Sequence, residues 1–230
     1  MIKIENVDVY GWEAAIRGAR NPMNSWDKMD SVWDADWDTD WNTSSYHIGP
    51  NDHKLLSNLT NAGSDHGKFM RMITVSLDIT APLYWWKEFD TYKVGTVANS
   101  CSTMHKIHAK EFTLDDFSHE HLFNGVDLVE GASDMEYWEN PETCLEYTIR
   151  VLNYHRKKFL ETKDKNHWWQ MIQLLPTSYN QRRTVLLNYQ VLKTMYHARK
   201  HHKLDEWREF CEWIRTLPYF ELITGELAYV

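Results

Sequence analysis

The stretch "LLPTSYNQRRTVLLNYQVLKTMYHAR" covers residues 174–199, and it decides the fold that the sequence predicts. Apolar residues recur in it at three- or four-residue spacing, which is typical of a helix with one apolar face: Leu187, Val191, Met195 and Ala198. The helical prediction covers residues 181–217, as two helices that meet near residues 201–204. Arg199 borders the apolar stripe, where its planar guanidinium is suited to hold an anionic or carbonyl-bearing ligand.

The rest of the chain alternates between strand and helix patterns. Strands are predicted over residues 2–12 and 70–86, the second broken at Ala81-Pro82. Helices are predicted over 13–22, from 51 to about 62, over 85–92, 113–123, 141–163 and 166–176. In the helix over 141–163, one apolar face is predicted from Leu145, Ile149, Leu152 and Phe159. The predicted fold is a helix-dominated α+β single domain, residues 1–230, with one modest antiparallel or mixed sheet.

Charge and composition limit the classes of function. The net charge of −8 disfavours nucleic acid and anionic membranes as partners, so a phosphate-bearing ligand must be met by locally placed Arg and Lys. Three widely spaced cysteines and the lack of a targeting or spanning segment indicate a soluble cytoplasmic protein. His197 and His201 lie one helical turn apart, but "HARKH" lacks a glutamate and carries cations, so no metal site is predicted.

Two segments each allow two interpretations. The stretch "KVGTVANSCSTMHK", residues 93–106, follows the aromatic run "APLYWWKEF" and is rich in small and polar residues. It is either a polar turn or a cradle in which Ser102, Thr103 and backbone N–H groups hold a phosphate, with Lys106 as a nearby cation. Trp and Asp alternate over residues 25–42, which form either an ordered interface segment or an acidic, aromatic ligand site.

Taken together, these motifs resemble the flavin-dependent thymidylate synthase family. Members have an arginine six residues after a Leu-Pro, an asparagine twelve after it, and a second arginine eleven residues further on. Pro176, Arg182, Asn188 and Arg199 have this spacing without a gap. "TVSLDITAPLYWWKEFDTYKVGTVANSCST" is similar to the family's strand, aromatic helix and nucleotide loop. "VYGWEAAIRGAR" is similar to its N-terminal strand and helix, so the resemblance covers most of the chain.

The chain departs from the family at several charged positions. The family's Arg-His-Arg corresponds to Thr91-Tyr92-Lys93, and lysine lacks the planar fork of arginine. Glu88 stands where the family has glutamine. Ser102 matches the nucleotide-contacting serine, but an arginine two residues later is replaced by Met104. About half of the family's phosphate- and flavin-holding cations are therefore missing.

The resemblance implies a function and a set of site residues. It implies that FAD, with NADPH and a reduced folate as co-substrates, converts dUMP to dTMP or carries out a related C5 modification of a pyrimidine nucleotide, in a homotetramer. Arg199 would stabilise charge on the uracil as the catalytic residue. The implied substrate-binding residues are Glu88, Ser102, Arg182 and Arg199, and the implied cofactor-binding residues are Tyr92, Lys93, Asn99 and Asn188.

Two alternatives remain open at the level of the sequence. One is a protein of the same fold that has lost flavin and binds a nucleotide as a sensor or accessory subunit, which the missing arginines favour. The other is an unrelated helical interaction protein.

Overall fold

The computed structural model describes residues 2–33, 46–123 and 140–226. The strands within these ranges are β1 (Lys3–Tyr10), β2 (Val32–Trp33), β3 (Tyr46–His47), β4 (Thr74–Pro82), β5 (Val97–Ser100) and β6 (Asn180–Asn188). The helices are α1 (Trp12–Arg20), α2 (Pro50–Asn61), α3 (Leu83–Phe89), α4 (Pro141–Thr162), α5 (Lys165–Leu174), α6 (Tyr189–Arg199), α7 (Asp205–Ile214) and α8 (Glu221–Thr224). No helix in these ranges is both long enough and apolar enough to cross a bilayer.

The main sheet has four strands in the order β1-β4-β6-β5, and β2 pairs with β3 in a separate antiparallel ladder. The direction of β4 against β6 follows from hydrogen bonds at their two ends. The N–H of Tyr189 donates to the carbonyl of Ile73 at one end, and the N–H of Leu83 donates to the carbonyl of Tyr179 at the other, each at 3.0 Å. The end of one strand thus meets the start of the other, so the pair is antiparallel. The predicted helix-rich α+β class with a small sheet is confirmed.

The prediction of continuous helix from residue 181 was wrong. Residues 180–188 form β6, along which buried and exposed side chains alternate: Gln181, Val185 and Leu187 are buried, whereas Arg182 and Leu186 are exposed. This two-residue period is that of a strand. The helix begins only after Asn188, whose extended backbone and side-chain acceptor end the strand and start α6.

A second helix, predicted over residues 113–123, is reduced to one short turn. Only Leu114–Asp116 is helical, as a 3₁₀ turn. Thr113 and Asp116 form a reciprocal capping box around it, with the N–H of Thr113 donating to Asp116 at 2.8 Å. The helix ends after this turn because Phe117 has an extended backbone and pairs with Tyr179 in an antiparallel bridge. The strands near residues 2–12 and 70–86 and the remaining predicted helices are confirmed within a few residues.

The chain divides into two compact units. Unit 1 comprises Met1–Lys3, Ile79–Thr91 and Asn99–Arg183, and unit 2 comprises Ile4–Asp78, Tyr92–Ala98 and Thr184–Val230. The core of unit 1 lies between α4, α5 and the segment before α4, and it confirms the apolar face predicted for α4: it contains Phe112, Phe117, Leu145, Ile149, Leu152 and Met171, with Phe159 against it. Unit 2 has its own aromatic core, in which Trp12 packs edge-on against Tyr189 at 5.1 Å between ring centroids.

Part of the Trp/Asp segment lies outside the described residues, namely 34–42. In the described part, Trp26 and Trp33 are both exposed. Their indole N–H groups donate to Asn21 at 2.8 Å and to Glu13 at 3.3 Å, so local polar partners hold each ring.

Candidate functional site

Arg199, the last residue of α6, is held by two aromatic side chains of unit 2. Its Nε donates to the phenol oxygen of Tyr92 at 2.9 Å. Its guanidinium carbon lies 4.9 Å from the ring centroid of the buried Trp207 and 5.6 Å from that of Tyr92. A cation over an aromatic face is attracted by the ring quadrupole, and the hydrogen bond fixes rotation within that contact. These side chains therefore help to orient the guanidinium, although Tyr92 lies 107 positions before Arg199 in the sequence.

Tyr92 is one of the four residues that the resemblance assigns to the cofactor, and its phenol oxygen accepts the Arg199 hydrogen bond. Its carbonyl accepts from the hydroxyl of Thr96, which closes the turn that carries Lys93. Lys93 itself is exposed. Two of the predicted site residues, Tyr92 and Arg199, are therefore in direct contact, and this contact was not predicted from the sequence.

Asn188 has a structural task at the start of α6. Its side-chain oxygen accepts from the N–H of Val191 at 3.0 Å, which is the hydrogen bond of an N-cap. The turn around Gly95 approaches this cap closely. Gly95 has φ +84°, and a Cβ there would lie 2.9 Å from the side-chain nitrogen of Asn188 and 3.0 Å from a methyl of Val191. Only glycine is compatible with both the backbone angle and this approach.

The polar stretch after Lys93 is a short strand followed by a turn. Asn99 lies in β5 and is exposed. The hydroxyl oxygen of Ser102 accepts from the backbone N–H of Met104 at 3.2 Å and of His105 at 3.0 Å, and it lies 2.9 Å from Nδ1 of His105. Ser102 therefore caps its own turn in this structure, as the polar-turn interpretation requires.

Arg182 lies opposite the same turn in unit 1. The N–H of Cys101 donates to the carbonyl of Arg182 at 2.9 Å, and the Arg182 side chain is exposed on β6. Because Cys101 precedes Ser102, the pairing brings the two predicted phosphate-binding residues to neighbouring positions of the ladder. Glu88 is partly buried in α3, and its carbonyl accepts from the hydroxyl of Thr91 at 2.7 Å.

Sequence reasoning missed Arg183, which contacts three side chains of unit 1. Its guanidinium carbon lies 4.1 Å from the ring centroid of Trp86. Its Nε donates to the Gln181 side chain at 2.9 Å, and its Nη1 donates to Asp90 at 2.7 Å. Recognition of residues 180–188 as a strand would have separated the two arginines. Successive side chains of a strand point to opposite faces, so Arg182 and Arg183 have different surroundings.

Of the eight predicted residues, Glu88, Asn99, Ser102 and Arg182 belong to unit 1, and Tyr92, Lys93, Asn188 and Arg199 belong to unit 2. Among the described residues, no three His, Cys, Asp or Glu side chains come together as metal ligands would. Burial, followed by Lys200 and Lys193, lowers the pKa of His197. All three cysteines are free thiols, and burial raises the pKa of Cys211 to about 12, so this thiol is protonated at neutral pH.

Comparison with known proteins identifies the fold. No protein-family model matches the chain, and no curated protein sequence matches it. Solved structures do match. Thymidylate synthase X from Helicobacter pylori, solved with FAD and dUMP, is 15% identical, with 98% of each chain covered and a TM-score of 0.65. The UMP/dUMP methylase PolB from Streptomyces cacaoi, bound with 5-Br dUMP, is 14% identical over 98% of this chain and 95% of that one, with a TM-score of 0.63.

These matches confirm the predicted resemblance at the level of the fold. The chain has the fold of the flavin-dependent thymidylate synthases and of a related nucleotide methylase, and it retains that fold at low sequence identity. The interpretation as an unrelated helical protein was therefore wrong.

Proposed function

We propose that this protein binds a pyrimidine deoxynucleotide and, with a flavin cofactor, modifies C5 of the base in a reaction of the dUMP-to-dTMP type. One observation carries the proposal: the fold matches, over 98% of the chain, structures solved with FAD and dUMP and a UMP/dUMP methylase. A fold alone does not determine chemistry, so the assignment depends on what the site residues can do.

Arg199 is the residue proposed to act on the uracil. Its guanidinium is oriented before any ligand arrives, because the phenol of Tyr92 and the indole of Trp207 hold it. A preoriented cation stabilises negative charge that develops on a ring carbonyl without the cost of reorganisation during the reaction. Burial of Trp207 beneath the guanidinium also keeps water from that face.

The nucleotide phosphate is assigned to Arg182 and Ser102, and the base edge to Glu88. Arg182 is exposed on β6, and a guanidinium is suited to bind a phosphate through two parallel N–H groups. The Ser102 hydroxyl holds its own turn, so it would contribute by ordering the backbone N–H groups of Met104 and His105 as well as by direct contact. A carboxylate at Glu88 is suited to accept from the ring N–H of uracil.

The residues proposed for the cofactor fit FAD in the type of their donors. Lys93 supplies an exposed ammonium for a phosphate, and the side-chain amides of Asn99 and Asn188 suit the carbonyl and ring-nitrogen atoms of a flavin. The oxygen of Asn188 is engaged by Val191, which leaves its amide nitrogen as the donor on that side chain. When bound, FAD would supply hydride transfer, with NADPH and a reduced folate as co-substrates. The proposal includes a cytoplasmic homotetramer, as the resemblance implies.

A second candidate function is a nucleotide-binding protein of this fold without flavin chemistry. It is favoured by the sparse positive charge, since Lys93 is the one cation among the four residues proposed for the cofactor. It is also favoured because the Tyr92 phenol and the Asn188 side-chain oxygen already accept hydrogen bonds within unit 2, so they are less available to a flavin.

The absorbance spectrum of the purified protein, before and after addition of FAD and then dUMP, distinguishes the two candidates. The first candidate predicts bound-flavin bands near about 450 nm that shift when dUMP is added, followed by dTMP formation when the co-substrates are supplied. Replacement of the exposed cation, Lys93→Gln, should weaken FAD binding. A protein that is colourless after incubation with FAD and removal of the unbound FAD, yet binds dUMP, would establish the second candidate instead.

A further inference from the structure

Three cations of unit 1 lie near His108. Nε of Arg156 donates to the carbonyl of His108 at 3.0 Å. The His108 ring lies 4.9 Å from the ring of Phe159, and the ammonium of Lys163 lies 5.9 Å from the centroid of that same Phe159 ring. Lys106 precedes His108 by two residues. We name Lys106, His108, Arg156 and Lys163 the His108 cluster.

The imidazole itself contributes no further charge near neutral pH. Burial, followed by Lys106, Lys163 and Arg156, lowers the pKa of His108 below its ordinary value. All three cations therefore lie near enough to influence one ring. Nδ1 of His108 is buried and has no hydrogen-bond partner among the described residues.

The positive charge of the cluster is not balanced within the part of the chain that the structure describes. Neighbouring lysines do have carboxylate partners: Lys110 pairs with Asp116 at 2.8 Å, and Lys158 pairs with Glu161 at 3.1 Å. Lys106, Arg156 and Lys163 form no such ion pair with a described residue. In a chain of net charge −8, this local positive charge can attract an anion from solution.

The backbone that carries the cluster is fixed by side chains. The indole N–H of Trp168 donates to the carbonyl of Met104 at 3.0 Å, and the N–H of Ala109 closes a turn on Lys106 at 2.9 Å. Lys163 has a left-handed backbone, with φ +58°, at the end of α4. The nearest acid in sequence, Asp164, uses its carboxylate to cap α5 through the N–H of Asn166 at 2.9 Å. An incoming anion therefore meets cations on a preformed frame, which reduces the entropy lost on binding.

We propose that Lys106, Arg156 and Lys163 form a binding site for the dianionic phosphate group of a phosphomonoester. Nε of Arg156 is engaged by His108, while its two terminal nitrogens make no hydrogen bond to a described residue, which leaves the edge that pairs with phosphate oxygens. The ammonium groups of Lys106 and Lys163, together with Arg156, suit a phosphate group with a charge of −2. This site goes beyond the proposed function, which assigns Arg182 and Ser102 to the nucleotide, and its phosphate belongs either to the pyrimidine nucleotide or to a separate molecule.

Calorimetric titration with inorganic phosphate at low salt, about 50 mM, tests the site directly. Arg156→Gln should reduce the affinity for phosphate about tenfold, and Lys163→Gln should reduce it several-fold, since each removes one charged donor. Lys163 makes no described side-chain hydrogen bond, so its variant should keep the far-ultraviolet circular dichroism of the parent. Lys157→Gln is the matched control, because it removes an exposed lysine from the same helix outside the cluster.

Phosphate affinity that is unchanged in both cluster variants would overturn the proposal, as would the absence of phosphate binding to the parent protein. An equal loss in Lys157→Gln would also overturn it, because the effect would then come from the general field. Titrations with dUMP and with deoxyuridine identify the molecule that carries the phosphate. If Lys163→Gln weakens dUMP but not deoxyuridine, the site holds the nucleotide's phosphate. If phosphate binds equally well to protein saturated with dUMP, the site serves a second phosphorylated ligand.

Discussion

Arg20 and Arg199 are two arginines of unit 2 whose surroundings differ in kind. Arg20 is buried and forms an ion pair with the buried carboxylate of Asp52 at 2.6 Å, and its other nitrogens donate to the carbonyls of Ser25 and Lys28. Arg199 is partly buried, and its contacts include the phenol of Tyr92 and the faces of two aromatic rings. Carboxylate and carbonyl groups hold Arg20, and the hydrogen bond to Tyr92 and the aromatic rings help to orient Arg199.

Arg20 belongs to a structural network, whereas Arg199 is the arginine proposed for the nucleotide. Asp52 also accepts from the N–H of Asp30 and the N–H of Ser31, both at 3.0 Å, while Asp30 accepts from the N–H groups of Asn51 and Asp52. The Arg20 network thus ties α1, the segment before β2 and the start of α2 into one piece. We expect changes to it to affect stability, and changes around Arg199 to affect nucleotide binding.

The largest expected effect is the loss of the buried ion pair. Asp52→Asn leaves Arg20 buried without its counter-charge, which should lower the free energy of unfolding by about 3–5 kcal/mol. Urea denaturation followed by circular dichroism measures this. Arg17→Gln is the control, since it breaks the exposed pair with Glu13 on the same helix and should cost less than about 1 kcal/mol. Equal costs for the two variants would contradict the structural role given to Arg20.

The same network predicts an acid sensitivity. Burial of the Asp52 carboxyl raises its pKa, but hydrogen bonds from Ser31, Asp30 and Arg20 and the charge of Arg20 outweigh burial, so the pKa lies below the ordinary 3.8. A depressed folded-state pKa stabilises the fold above the unfolded value, and that contribution is lost as pH falls through the folded-state pKa. The difference in stability between the parent and Asp52→Asn should therefore shrink below about pH 4. A difference that stays constant down to about pH 2 would be inconsistent with this linkage.

Asn188 combines both kinds of role, because it caps α6 and is also proposed to bind the cofactor. Asn188→Ala removes the cap of α6 and should cost about 1 kcal/mol of stability, whereas Asn188→Asp keeps the oxygen that accepts from Val191. Both variants lose the amide donor proposed for the cofactor, so both should bind FAD more weakly. Thermal unfolding and FAD titration separate the two roles. FAD affinity that falls only in Asn188→Ala would show that the cap, rather than the donor, matters.

Tyr92→Phe is expected to have the smallest effect. It removes the oxygen that accepts from Arg199 but keeps the ring, so the guanidinium loses orientation and not its aromatic contacts. The affinity for dUMP should fall roughly three- to tenfold, the range for loss of one hydrogen bond. Tyr147→Phe, at an exposed tyrosine of α4, is the control. An unchanged affinity in Tyr92→Phe would mean that the hydrogen bond from Arg199 to Tyr92 is not needed for nucleotide binding.

Long periodic segments were predictable from the sequence, and contacts between distant residues were not. The face of α4 and the break between α6 and α7 followed from periodicity, because each depends on neighbours along one helix. Residues 180–188 were predicted to be helical because the three- or four-residue spacing of apolar residues in α6 was extended towards the N-terminus beyond Asn188. These residues form a strand instead. Arg199 was identified by spacing and resemblance, whereas its partner Tyr92 and the contacts of Arg183 with Trp86 and Asp90 depend on tertiary structure.

The most direct test of the proposed nucleotide site is a calorimetric titration of dUMP into the parent protein, Arg199→Gln and Arg208→Gln. Arg208 is an exposed arginine of the next helix, so it matches the lost charge without the aromatic contacts. We expect the parent and Arg208→Gln to bind dUMP alike and Arg199→Gln to bind it at least about tenfold more weakly, as loss of a charged hydrogen bond implies. Equal affinity in all three proteins would contradict the assignment of Arg199 to the nucleotide.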